Sequence, residues 1–409
     1  MLSYHTCPIA TLGGKDTGGM NVYVRDLTRQ LGSMGIHVDV FTRSQDEHVP
    51  HVLHDLGYGN RVVHIPSGPE VPLPKQELVG YIPDYVRGIL DFTDSKGCHY
   101  DLIHSHYWLS GLAGKELKGI WKIPMIQMFH TLGVMKQRVA RRTGEVEGEY
   151  RLAGEREVLE VSDIIVAATP AELAQLQWLY QADSRKIVVI PPGVDLSHFY
   201  PIPPDEAKEY IGVPPCEQVL LYVGRIERLK GIDTLLEAIA IMQSQGYYVC
   251  LSVIGGDSGV SEDDLSAEML RLQGLREQLG LGELVTFLGK RSQDTLPYYY
   301  SAAEAVVVPS YYESFGMVAL EAMACGTPVV ASQVGGLAFL VQDGITGFTV
   351  PVDDPQKLAE YLIRLMSDKD LRQQMGEQAA IFAIEYGWEK IAHNVLNAYE
   401  DILSTNSST

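Results

Sequence analysis

Ala305-Val-Val-Val-Pro-Ser-Tyr-Tyr-Glu-Ser-Phe-Gly-Met-Val-Ala-Leu-Glu-Ala-Met-Ala-Cys-Gly-Thr-Pro-Val-Val330 reads as a strand, a turn, a helix and a second strand in one stretch. The apolar run Ala305–Val308 is closed by proline, as a short buried strand is. Met317 to Ala324 are good helix formers, so a helix is expected to begin near Phe315. Glu313 then lies in the loop before that helix, and Glu321 lies further along it. The N-terminal amides fall between the two carboxylates, and Gly316 lets the backbone approach a ligand closely. Amides at a helix start suit a phosphate, and carboxylates beside them suit sugar hydroxyls. The stretch therefore fits a polyhydroxy ligand that carries a phosphate. An ordinary turn with two solvated glutamates is the plainer alternative, opposed by the buried look of the run around Glu321.

The same alternation extends in both directions. An amphipathic run from Asn21 to Met34 leads to Gly35-Ile-His-Val-Asp-Val-Phe-Thr42. Asp101–His104, Pro124–Phe129, Asp163–Ala168 and Lys186–Ile190 follow with helical patterns between them. Residues 191–215, rich in proline and polar side chains, read as a linker. A second series then runs through Val219–Val223, Tyr247–Ile254, Val285–Leu288, Ala305–Val308 and Thr327–Ala331, with helical patterns at Leu358–Leu371 and Gly387–Leu403. This rhythm implies an α/β protein of two doubly wound parallel-sheet domains. Ligands are expected at the C-terminal ends of the strands, in a cleft between the domains. Leu2-Ser-Tyr-His-Thr6 reads as the tail of a first strand, either a stub or one that has lost residues at its start. The tail Ser404–Thr409 is polar and expected to be disordered.

Composition narrows the partners. The 409 residues fit two or three domains, and 46% hydrophobic with 21% charged residues is ordinary for a globular protein. The net charge of −20, from 52 acidic and 32 basic residues, speaks against nucleic acid and against an anionic membrane surface. A phosphate-bearing substrate must therefore be held by local cations working against the overall field. Cys7, Cys98, Cys216, Cys250 and Cys325 form no C-x-x-C pair and are expected to be free thiols in a reducing compartment. No signal peptide or membrane-length apolar run is evident, which leads to a cytoplasmic expectation.

Four further groups carry chemistry. Gly13-Gly-Lys-Asp-Thr-Gly-Gly19 sits between a strand and a helix. Its amides can face a phosphate, although it is neither a G-x-G-x-x-G nor a Walker A loop. Gly224-Arg-Ile-Glu-Arg-Leu-Lys-Gly231 follows the first strand of the second series. Arg225 as a fork and Lys230 as a point charge fit a diphosphate, and a solvated basic loop is the alternative. His130, in Phe129-His-Thr131, ends a buried strand and either polarises a sugar oxygen or is a satisfied core histidine. Lys75, Lys136 and Arg151, with Arg138, Arg141 and Arg142 nearby, form either an anion site or a solvated helix face. There is no HExxH, paired cysteine or GxSxG pattern, so neither a metal nor a hydrolase triad is expected. Asp353-Asp354 before proline reads as a turn.

With these motifs in this order, the chain resembles the retaining GT-B glycosyltransferases over essentially its full length. The resemblance implies two Rossmann-like domains. Residues 1–192 would bind the acceptor, with a C-terminal helix of about 388–409 crossing back to them. Residues 193–387 would bind a nucleotide sugar. Glu321 would hold the ribose hydroxyls and Glu313 the 3-hydroxyl of the donor sugar. Arg225 and Lys230 would bind the diphosphate with help from amides around Gly14 and Gly19. Phe315, Gly316 and Met317 would offer amides to the donor, and His130 would contact the sugar near its 6-hydroxyl. The acceptor's phosphate would be held by Lys75, Lys136 and Arg151, with Tyr107, Thr131 and Asn21 beside it. His130, Glu313, Arg225 and Lys230 are the residues expected to carry the reaction. No cofactor or metal would be required, since cations and helix amides neutralise the leaving diphosphate.

Two subfamilies fit. Asp16-Thr-Gly-Gly19, His130-Thr-Leu-Gly133, Gln177-Trp-Leu-Tyr180 and Ile190-Pro-Pro-Gly193 resemble sucrose-phosphate synthases, which transfer glucose from UDP-glucose to fructose 6-phosphate. Gly19-Met-Asn-Val-Tyr-Val24 and the lack of extra C-terminal domains are similar to the inositol-phosphate N-acetylglucosaminyltransferases of mycothiol synthesis. Met20 departs from the glutamine common in the first group. The expectation leans to the sucrose-phosphate synthases; a non-catalytic nucleotide-sugar-binding protein is a third possibility.

Overall fold

A computed structural model of the chain describes all residues except 11–16, 141–147, 215–216, 257–265 and 407–409. Two compact units emerge. One comprises the described residues up to Gly193 together with the helix Trp388–Asn406, and the other runs from Val194 to Gly387.

The first unit contains β1 (Asp39–Arg43), β2 (Val52–Leu53), β3 (Arg61–Ile65), β4 (Ile103–His106), β5 (Met125–Met128), β6 (Ile164–Ala167) and β7 (Ile187–Val189). β4 to β7 pair in parallel in chain order, β1 pairs with β3 in parallel, and β2 adds an antiparallel edge to β3. Residues 1–4 connect the two groups. The Leu2 amide donates to His104 O at 2.9 Å, and the Ser3 amide donates to Phe41 O at 2.9 Å. β4 to β7 carry no Asp, Glu, Lys or Arg, as expected of parallel strands buried on both faces, whereas β1 and β3 carry Asp39, Arg43 and Arg61. β5, Met-Ile-Gln-Met, is wholly buried. Its Gln127 is satisfied by Ser105 Oγ, which donates to it, and by Met128 O, which accepts from it.

The second unit contains β8 (Val219–Val223), β9 (Cys250–Ile254), β10 (Val285–Gly289), β11 (Ala305–Val308), β12 (Val329–Ser332) and β13 (Gly347–Val350). All neighbours are parallel in the order β10-β9-β8-β11-β12-β13. The chain winds outward from β8 to one edge, then returns to β11 and winds to the other. The loops leaving β8 and β11 therefore diverge over opposite faces. That switch point is where open α/β sheets bind ligands.

Three details depart from the sequence reading. Residues 191–215 are more than a linker. Val194 bridges Gly387, and Pro204–Ile211 is a helix whose Tyr210 stacks on Tyr298 at 3.8 Å. Proline is tolerated in that helix's first turn because the amide it lacks has no helical partner there. The Leu358–Leu371 pattern is split into helices Pro355–Ser367 and Lys369–Ala383, the second capped by Asp368, whose carboxylate accepts from the Leu371 amide at 2.9 Å. Ser404–Asn406 continue the last helix, Trp388–Asn406, and 407–409 lie outside the described residues. Asp354 caps the helix Pro355–Ser367 by accepting from the Lys357 amide at 2.9 Å, so Asp353-Asp354 is the turn it reads as. Among the described residues, no helix is long and apolar enough to cross a membrane. Nor do they hold any cluster of three or more His, Cys, Asp or Glu able to hold a metal ion. Cys7, Cys98, Cys250 and Cys325 are free, and Cys216 lies outside the described residues.

Candidate functional site

In the second unit the loops after β8, β11 and β12 are locked against one another. A short 3-10 turn, Arg228–Lys230, follows β8. The Tyr311 amide donates to Leu229 O at 2.8 Å, fixing that turn to the loop after β11. Gly231 adopts φ 65, and a Cβ there would lie 2.1 Å from Pro309 O, so only glycine allows the two loops this approach. On the other side, the Gly336 amide donates to Glu313 O at 3.1 Å. A Cβ on Gly335 would lie 1.8 Å from that same oxygen. The backbone of Glu313 is thus clamped from two directions.

This clamp brings Lys230 and Glu313 together from opposite sides of the switch point, with Nζ donating to Oε2 at 2.5 Å. Arg225 is turned onto Glu227, Nη1 to Oε1 at 2.6 Å. The helix begins at Met317, two residues later than the sequence suggests, because Gly316 at φ 110 is its cap. A side chain at 316 would strike Leu337 Cδ2 at 2.6 Å, so it is a neighbouring helix of the same unit that crowds this glycine. The amides of the first helical turn, starting at Met317, point back toward Glu313–Gly316. Phe315 is buried, with its ring 6.0 Å from that of Tyr386. Glu321 is 6% exposed, and its Oε2 accepts from the Tyr300 hydroxyl at 2.7 Å.

In the first unit, two adjacent strands end in strained residues. Tyr107 follows β4 with φ 74, and His130 lies two residues past β5 with φ 61. Such conformations cost non-glycine residues about 1–3 kcal/mol each and cluster where ligands are bound. Two cations lie over the Tyr107 ring: the Arg151 guanidinium carbon at 5.1 Å and Lys75 Nζ at 5.6 Å from its centroid. Arg151 also donates to Thr131 Oγ1 at 3.1 Å and Thr131 O at 2.9 Å. The structure therefore gathers Lys75, Tyr107, Thr131 and Arg151 from four segments. Lys136 lies in the short helix Gly133–Val139 that follows Thr131.

Arg151 is buried, and Glu155 one turn along the same helix, also buried, is its partner at 2.8 Å. Glu155 further accepts from the Gly133 amide at 3.0 Å and from the Tyr180 hydroxyl. Burial and that carboxylate push the Tyr180 hydroxyl's pKa up. Glu155 was missed in the sequence, though its i,i+4 spacing from Arg151 is the signal that finds it.

Asn21 plays a structural part. Its Nδ2 donates to Thr6 Oγ1 at 2.8 Å and to Cys7 O at 2.7 Å, and its Oδ1 accepts from the Gly18 amide at 2.9 Å. Both amide hydrogens and the oxygen are thus engaged in holding the strand-to-helix turn, and the side chain is buried. Gly19 opens the helix Gly19–Ser33; Gly14, Arg141 and Arg142 lie outside the described residues. Behind Tyr107 runs a row of histidines that sequence reading did not assemble. His106 Nδ1 is 3.1 Å from His130 Nε2, and the His104 and His106 rings are 4.2 Å apart. Desolvation lowers His130 and His104 to about 3 and His106 well below its usual value, so all three are neutral near pH 7.

Two family models match the chain: Glycosyltransferase Family 4 over residues 17–198 and Glycosyl transferases group 1 over residues 205–382. The chain is 40% identical to D-inositol 3-phosphate glycosyltransferase 2 of Catenulispora acidiphila, an alignment that spans 98% of this chain and 93% of that protein. It is 39% identical to the D-inositol 3-phosphate glycosyltransferase of Corynebacterium jeikeium, over 98% and 96% of the two chains. Among solved structures, the sucrose-phosphate synthase tll1590 of Thermosynechococcus elongatus superposes with a TM-score of 0.90. It shares 36% identity over 99% of this chain and 98% of that one. Anabaena Alr3699/HepE in complex with UDP-glucose shares the fold, with a TM-score of 0.74 at 21% identity over 100% and 99% of the two chains.

Proposed function

Because this chain belongs to the group 1 glycosyltransferases of GT-B fold, we propose that it moves a hexose from a UDP-sugar onto a phosphorylated polyhydroxy acceptor. Our specific reading is glucose transfer from UDP-glucose to fructose 6-phosphate, giving sucrose 6-phosphate. The observation that carries the general reading is the pair of cation-bearing sites. In one unit Lys230 meets Glu313 just ahead of the helix that starts at Met317, with Arg225 on the same loop as Lys230, and in the other Lys75 and Arg151 lie over Tyr107. In an acidic protein these clusters are where local positive charge can hold an anionic ligand, with Lys230 and Arg225 exchanging their present carboxylate partners for it.

In the second unit, the donor's diphosphate would lie against Lys230, Arg225 and the amides at Phe315–Met317. Glu321 would take the ribose hydroxyls and Glu313 the sugar's 3-hydroxyl. In the first unit, Lys75, Lys136, Arg151 and Thr131 would take the acceptor phosphate, and His130 would reach the transferred sugar. The reaction would proceed on one face with retention. The acceptor hydroxyl attacks the anomeric carbon as the diphosphate departs, and its proton passes to a leaving-group oxygen. The residues then contribute position and charge rather than a nucleophile. Lys230 and Arg225 can balance the departing charge themselves, so activity should survive EDTA.

Fructose 6-phosphate is supported by the likeness to the sucrose-phosphate synthase over nearly all of both chains. A second reading, transfer of N-acetylglucosamine to inositol phosphate, is favoured by the names of the relatives at 39–40% identity. The test is UDP release with UDP-glucose or UDP-N-acetylglucosamine, each against fructose 6-phosphate and inositol phosphate. Turnover with UDP-glucose and fructose 6-phosphate supports the first reading. Turnover only with inositol phosphate supports the second, and tight UDP binding without turnover on any pair would leave a sensor.

A further inference from the structure

His106 is wholly buried on β4, and its two ring nitrogens have different surroundings. Nδ1 faces His130 Nε2 at 3.1 Å, whereas Nε2 is buried with no hydrogen-bond partner among the described residues. Both rings are neutral near pH 7, so each carries one N–H and one lone pair. Two tautomer pairs satisfy the contact. If the His106 proton sat on Nε2, a buried N–H would go without a partner, at a cost of about 1–3 kcal/mol. With the proton on Nδ1, only a lone pair is orphaned, the cheaper arrangement. His106 Nδ1–H then donates to His130 Nε2, and His130 must carry its own proton on Nδ1. No described residue hydrogen-bonds to that Nδ1. The surroundings offer nothing to reverse this choice. The Tyr23 ring packs at 5.6 Å from His106, and the neutral His104 beside it is engaged through Nδ1 with the Tyr399 hydroxyl at 2.7 Å.

We propose that His106 is a positioning residue that fixes the tautomer of His130, so that His130 presents an N–H donor, and never a lone pair, to a sugar oxygen. The proposal rests on the reading that His130 meets the transferred sugar. It makes the site selective for an acceptor oxygen at that point of the hexose, such as a hydroxyl or ether oxygen.

Two substitutions separate hydrogen bonding from packing. In His106→Asn the side-chain amide places an N–H close to where Nδ1 was. In His106→Leu the volume is better filled and the donor is gone. If the hydrogen bond matters, His106→Asn keeps kcat for sugar transfer within a few-fold. His106→Leu then loses about tenfold, the worth of one neutral hydrogen bond, with the acceptor KM unchanged. Equal losses, or a better Leu variant, would mean that His106 only packs. The tautomer is read directly and without turnover by 1H–15N correlation spectra of protein labelled at histidine. A protonated Nδ1 on His130 is expected in the wild type, with a shift toward Nε2–H in His106→Leu. A protonated His130 Nε2 in the wild type would overturn the inference even in a fully active enzyme. A protonated Nδ1 in a protein that turns over no UDP-sugar would instead sink the functional reading and leave the latch standing.

Discussion

Lys230 is bound to Glu313 before any donor arrives, and that contact makes a quantitative prediction for UDP, which carries the diphosphate but no sugar. In Lys230→Ala, UDP loses a charge-assisted contact worth about 1.5–3 kcal/mol. The same change leaves the Glu313 carboxylate uncompensated beside the incoming phosphates. At roughly 5–6 Å and an effective dielectric near 20, that repulsion is about 3 kcal/mol. The Lys230 and Glu313 side chains are 18% and 19% exposed, so screening should reduce it to about 1 kcal/mol. Lys230→Ala should thus weaken UDP on the order of a few hundred-fold, by about 2.5–4 kcal/mol. In a Glu313→Gln background the repulsion is gone, and the same substitution should cost only about 1.5–3 kcal/mol. Glu313→Gln alone should bind UDP as well as the wild type or a few-fold better, because Lys230 is released, while losing affinity for the intact UDP-sugar. Titration calorimetry of UDP on the four proteins closes the cycle. Costs that simply add, or an unchanged UDP affinity in Lys230→Ala, would refute the placement of the diphosphate at this pair.

Lys75→Ala should raise the KM for a phosphorylated acceptor about tenfold or more and leave UDP affinity unchanged, checked by initial rates and calorimetry. Arg151 is less clean for this purpose, since its removal strands the buried Glu155 and should cost stability first. The buried histidines predict an acid-side loss of stability. His104 and His106 have folded-state values far below the ordinary value near 6.5. The unfolded chain therefore binds more protons below that pH, and stability falls as pH drops from about 6.5 toward 3. Each contributes about 1.4 kcal/mol per pH unit, measurable as a shift in urea midpoint between pH 7 and pH 5. Glu172 acts with the opposite sign. Burial raises its carboxyl to about 7, so it contributes stability at low pH that is lost as pH rises from about 4.5 through 7. Glu172→Gln should flatten that decline between about pH 4.5 and 7, and an unchanged profile would mean that Glu172 ionises normally.

Much of the second unit was legible because its strands, such as Val219-Leu-Leu-Tyr-Val223 and Ala305-Val-Val-Val308, are uncharged runs bounded by glycine or proline. The short strands at Arg61–Ile65 and Gly347–Val350 escaped notice. Each is brief, carries polar residues, and owes its conformation to a neighbour already in place. The boundary error at Phe315 had a similar cause, since Gly316 caps the helix with Leu337 packed where a Cβ would lie, a contact made by a later segment of the chain. Residues 191–215 misled through composition. Proline marks a linker and a helix's first turn equally well, and only the packing of Tyr210 on Tyr298 tells them apart.

Amino-acid order alone determined the two doubly wound series, the acidic field, and the residue types at each strand end. Those follow from local periodicity and from chemistry that each side chain carries wherever it goes. Which of them meet was decided by the tertiary structure. Lys230 finds Glu313, Arg151 reaches Thr131, Asn21 turns inward, and His106 backs His130. Pairings across such separations depend on strand order and on glycines that let backbones touch, and neither leaves a periodic trace in the chain.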